Sequence, residues 1–137
     1  MTNLDSSNSG SPEVARALTI YKALTAFNFL NHLAIGLACL FFPYWVANLF
    51  GLPDPIPTGW TRGWGATLIL VTALYIPGWL DPLGVRAPNL IGIGGRIWMA
   101  TVWVFCGGGF LWFALFDYSF AALIGYCYWR LLQAAKS

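Results

Sequence analysis

The stretch NFLNHL, residues 28–33, puts Asn28, Asn31 and His32 at i, i+3 and i+4 within an apolar run. On a helix that spacing places all three on one face. Two further ionisable residues, Arg96 and Asp117, stand in two other apolar runs. These residue types can do chemistry. An imidazole can relay a proton, hydrogen-bond a quinone or ligate a metallated ring, and a guanidinium and a carboxylate form charge-assisted hydrogen bonds. The same residues also serve plain cohesion, because polar side chains glue helices together where burying apolar surface gains nothing. Tyr21, Thr25 and Gly36 extend the Asn28–His32 stripe in both directions.

The elements that must position these groups follow from composition. Of 137 residues, 58% are hydrophobic and only 9% charged, whereas a soluble domain carries about 25% charged residues. Seven basic and five acidic side chains cannot coat a water-facing surface, so lipid is the expected solvent and membrane lipids the first partner. A net charge of +2 with no basic stripe excludes a nucleic-acid partner. Cys39, Cys106 and Cys127 lie in apolar runs without metal spacing, and they read as small buried hydrophobes. No metal site is expected. The polar start, residues 1–12, lacks the early basic residues of a signal peptide. GLAC at 36–39 fits a lipoprotein cleavage site poorly, so the first apolar run reads as an uncleaved span.

A helix needs about 20 apolar residues to cross about 30 Å of hydrocarbon. Four runs qualify, over about 17–42, 61–76, 88–106 and 110–132. Ser11, Pro12 and Glu13 start the first, Pro77-Gly78 stops the second, and Gly107–Gly109 separates the last two. The expectation is one all-α membrane domain over residues 1–137, an up-down-up-down four-helix bundle. Residues 43–60 begin with a short interfacial helix opened by Pro43 and closed by Gly51. Its apolar face carries Trp45, Val46, Leu49 and Phe50, and a stiff Pro53–Pro57 turn follows.

One end of the bundle carries Arg16, Lys22, Arg86, Arg130 and Lys136, the other only Arg62. The positive-inside rule then puts both termini in the cytoplasm. Arg96 lies about 12 Å in from the cytoplasmic end, and Asp117 about 10 Å from the outer one. Their depths differ by roughly 8 Å, within reach of a long side chain. A lone charge there costs at least about 2.5 kcal/mol. Asp117 is therefore expected to accept from Arg96, Arg62 or His32, although Arg62 also suits snorkelling to headgroups. Among the aromatics, Trp98, Trp103 and Trp112 are candidates for contact with lipid, a neighbouring subunit or a flat ligand. Asp81, Arg86 and Asn89 mark a turn that Asp81 and Arg86 can close, or that can dock a partner.

The segments FGLPDPIPTGWTRGWG (50–65), YIPGWLDPLGVRAPN (75–89) and GGR (94–96), with Asp117 of FDYSFA, resemble the BphX-like family of small bacterial four-helix membrane proteins and, more distantly, the DoxX-like group. The resemblance spans about residues 30–132 and leaves Asn28, Asn31 and His32 unmatched. It implies a bacterial inner membrane and carries over no catalytic residue. The DoxX side includes a subunit associated with electron transfer from a sulfur compound to quinone. The expectation is a non-catalytic accessory subunit of a larger membrane complex, electron-transferring, quinone-linked or photosynthetic. It requires no cofactor of its own, but contact with a quinone, pigment or lipid fits the aromatics. The rival is a small-molecule binding or transport protein that uses the polar interior. Stand-alone catalysis is not expected, since no acid–base or nucleophile pair stands apart from those cohesion needs.

Overall fold

The computed structural model describes residues 11–137, so the polar tail expected over residues 1–12 falls almost wholly outside the described residues. Helix α1 runs from Pro12 to Phe41. It starts as its residues dictate, with the Ser11 hydroxyl accepting from the Val14 N–H at 3.3 Å and Pro12 and Glu13 in the first turn. Helix α2 covers Pro43–Phe50, α3 Gly59–Leu80, α4 Ala87–Cys106 and α5 Leu111–Ala134, with a single 3₁₀ turn at Gly108–Phe110 before α5. All regular structure among the described residues is helical. The four long helices are long and apolar enough to cross a membrane.

One boundary differs markedly from the sequence expectation. Proline 77 does not end α3, which continues to Leu80. A proline inside a helix removes one N–H donor, but here the following turn is pinned from outside. The Trp79 indole donates to the Lys22 carbonyl and Lys22 Nζ to the Leu80 carbonyl, both at 2.9 Å. Asn89 Nδ2 donates to the Gly78 carbonyl at 3.0 Å. The short helix α2 forms between Pro43 and Gly51, as expected. Pro43, Val46 and Ala47 are buried and Phe50 packs on Phe113, while Trp45 and Leu49 point away.

α1 packs along α3 and α4 along α5, and α1–α5 and α3–α4 contacts close a ring. At one end Val14, Tyr21, Ile124, Tyr128, Leu131 and Ala134 form the main apolar cluster. There the Tyr128 hydroxyl donates to the Pro82 carbonyl at 3.0 Å. At the other end Trp64, Trp103, Phe110 and Phe113 pack ring on ring. Between them α1 and α3 come together at Gly36 and Gly65. A Cβ on Gly65 would sit 2.5 Å from the Gly36 carbonyl oxygen and 2.8 Å from Cys39 Cβ. Such small-residue contacts let backbones approach where lipid supplies no hydrophobic drive.

The turn into α5 uses backbone only glycine adopts readily: Gly107 has φ 68° and Gly108 φ 54°. The cysteines differ among themselves. Cys39 is buried, Cys127 half-buried and Cys106 exposed at the end of α4, so the buried-hydrophobe reading fails for Cys106.

Gly65→Val should loosen the α1–α3 seam and cost about 1–3 kcal/mol, the usual range for overpacking. Gly63→Ala, with open space around its site, should cost far less. Thermal unfolding in mild detergent, followed by tryptophan fluorescence, checks the contrast; equal melting temperatures for the two variants would contradict the close approach.

Candidate functional site: a guanidinium shared by the bundle helices

Arg96 is a buried residue near the middle of α4, its side chain 6% exposed. Its Nη1 donates to Asp117 Oδ1 of α5 at 2.7 Å. Its Nη2 donates to Asn28 Oδ1 of α1 at 2.5 Å and faces His32 Nε2 at 2.5 Å. Two phenyl rings of α5 flank the guanidinium carbon, Phe116 at 5.8 Å and Phe120 at 5.4 Å from their centroids, close enough for cation–π attraction. One cation thus meets a carboxylate, an amide oxygen and an imidazole from two other helices.

The hydrogen-bond directions around His32 follow from proton counting. The Thr72 hydroxyl of α3 donates its one proton to the Leu68 carbonyl at 2.9 Å. It also meets His32 Nδ1 at 3.3 Å and must accept there, so Nδ1 carries the proton. Nε2 then presents its lone pair to the Arg96 N–H, which is the only polarity a guanidinium can meet. Both ring nitrogens are engaged. His32 therefore has no lone pair left for an axial metal bond while Arg96 stays in place. Among the described residues no group of three or more His, Cys, Asp or Glu side chains comes together as a metal site.

Of the residues singled out in the sequence, Asn28, His32, Arg96 and Asp117 converge. Asn31 does not join them: its Nδ2 donates to the Phe27 carbonyl of its own helix at 3.1 Å. The buried positions of α1 run Tyr21, Thr25, Asn28, His32, Gly36 and Cys39, a near-heptad stripe that leaves Asn31 turned aside. Arg62 is exposed in the first turn of α3 and takes no part. Thr72 escaped the sequence reading, yet its signal was available. Thr72 stands seven residues after Gly65 and is the one polar side chain in the stretch LILVTAL, residues 68–74.

The tryptophans divide as well. Trp98 and Trp112 face outward. Trp103 instead turns in, stacked on Phe110 with centroids 5.3 Å apart and edge-on to Trp64 at 5.7 Å. It belongs to the internal aromatic end of the bundle and not to an outer contact surface. In the 81–89 turn, Asp81 and Arg86 do not pair. Asp81 Oδ1 accepts from the Gly84 N–H at 3.0 Å, and Arg86 Nε donates to the Leu83 carbonyl at 2.8 Å. Each residue closes the turn through its own backbone contact. Asn89 is buried and ties α4 to the end of α3.

Removing one member of a buried pair leaves the other charge uncompensated, at about 3–5 kcal/mol. Arg96→Met and Asp117→Leu should each destabilise by that order, and the double variant should be more stable than either single one. A double-mutant cycle on unfolding in detergent reads this directly, and simple additivity would contradict the pairing. Compared with known proteins, the chain matches no family model, no curated protein and no solved structure.

Proposed function

We propose that this chain is a non-catalytic accessory subunit of a larger bacterial membrane assembly, one that handles electrons or quinones. In this reading the four long helices cross the inner membrane as an up-down-up-down bundle. The order of facing residues supports it: Lys22 meets Trp79 and Leu80 while Gly36 meets Gly65, and Tyr21 meets Tyr128 while Phe27 meets Phe120. With Arg16, Arg86, Arg130 and Lys136 at one end, the positive-inside rule puts both termini in the cytoplasm. α2 then lies at the outer interface, with Trp45 and Leu49 turned toward lipid headgroups and acyl chains.

One observation carries the functional reading. The ionisable groups within the spans are spent on one another, while large aromatic side chains point outward. Trp98 is 69% exposed, Trp112 65% and Phe105 87%. The space beside Arg96 is a crevice of about 30 Å³, room for water but far short of the roughly 300–1,000 Å³ of a small-molecule site. The interior suits cohesion and the exterior suits contact with other membrane-embedded surfaces. The distant resemblance read from residues 50–65, 75–89 and 94–96 to the DoxX-like group is the ground for taking a redox assembly as the host.

Purification from native membranes in mild detergent should bring larger subunits with the chain, and Trp98→Ala with Trp112→Ala should weaken that association while leaving the melting temperature nearly unchanged. Recovery of the chain alone as a monomer under those conditions would count against the proposal.

A second reading has its own observation. Beneath the Pro53–Pro57 turn lies a space of about 350 Å³ bordered by Trp60, Trp64, Trp103, Phe110 and Phe113, within the range of small-molecule sites. A quinone or pigment ring would suit such walls better than it suits the Arg96 cluster. Titration with a short-chain quinone should quench tryptophan fluorescence saturably, and Trp64→Leu should weaken it; linear, unsaturable quenching would set this reading aside.

A further inference from the structure

The hydroxyl of Thr25 is buried without a hydrogen bond of normal geometry, in a residue only 6% exposed, with the Tyr21 hydroxyl as a neighbour. It borders the crevice of about 30 Å³ whose walls also include Asn28, Tyr75, Asn89 and Arg96. An unmet polar atom inside a lipid-facing bundle is costly, and a void of this size is about one water molecule's share of liquid volume. Arg96 adds a second unmet demand. A guanidinium offers five N–H donors, and three contacts to Asp117, Asn28 and His32 use only Nη1 and Nη2. Its Nε–H has no acceptor among the described residues.

We propose that this crevice is an internal water site. Water there donates to Thr25 Oγ1 and accepts from Arg96, and the Tyr75 hydroxyl on the crevice wall supplies a further partner. That gives it the two to four polar contacts a buried water needs. This holds whether or not a partner subunit binds the outer face.

Radiolytic hydroxyl labelling of the full chain in lipid nanodiscs tests the proposal, because radicals formed from a held water modify the side chains beside it. Tyr75 should be labelled several-fold more than Tyr128, a buried ring of the apolar cluster. Thr25→Val should lower the Tyr75 yield several-fold and Thr25→Ser should keep it. Brief exposure to H₂¹⁸O before irradiation should carry ¹⁸O into Tyr75 in the wild-type chain, a readout that needs no variant to fold. Tyr75 labelling no greater than that of Tyr128, or labelling without ¹⁸O, would overturn the proposal.

Discussion

A guanidinium in a lipid-spanning bundle must find acceptors, and that requirement organises this molecule. Arg96 cannot be left to hydrocarbon, and α4 offers it no acidic partner of its own. Its carboxylate comes from α5, its amide and imidazole acceptors from α1, and α3 holds the imidazole in the right tautomer through Thr72. A helix slipped by one turn, about 5.4 Å, would lose its contribution. Buried ion pairs are weak evidence for added stability, since desolvation offsets the attraction. Their best-attested use is to specify register, and a cation of α4 held by α1 and α5, with α3 behind His32, fits that use.

The rest of the packing serves the same geometry by other means. Gly36 and Gly65 bring α1 and α3 into backbone contact, which sets the distance that His32 and Thr72 must bridge. The side chains of Lys22, Trp79 and Asn89 tie down the carbonyls and indole around the end of α3, so that helix survives an internal proline. At the opposite end the stacked rings around Trp103 fill the space where α3, α4 and the turn into α5 meet. The middle layer is polar and directional, and the two end layers are apolar and aromatic. Directional bonds decide alignment, while the end layers supply van der Waals contact.

Several parts of this arrangement were legible in the residues. Ser11-Pro12 begins α1, Pro43 and Gly51 bracket α2, and Arg96 reaches Asp117 across a glycine turn. Others were not, for identifiable reasons. Asn31 shares a coarse i, i+3, i+4 face with Asn28 and His32, but packing follows a 3.5-residue stripe and passes it by. A threonine such as Thr72 can satisfy its own hydroxyl on the preceding turn, so its type alone does not mark it as a partner. Trp103 and Trp98 sit on the same helix with the same chemistry, and only the neighbours of α4 distinguish an inward ring from an outward one. Asp81 and Arg86 looked complementary, yet each found a nearer backbone partner.

Chain composition by itself determined that four apolar helices form and that the few ionisable groups among them have to meet, because hydrocarbon offers no other way to satisfy them. It could not determine which acceptor meets which donor. That was decided in three dimensions by how closely α1 and α3 approach and how α4 and α5 are rotated. Hydrogen bonds depend on tenths of an ångström and on direction, whereas the drive to enter lipid depends only on how much apolar surface a segment carries.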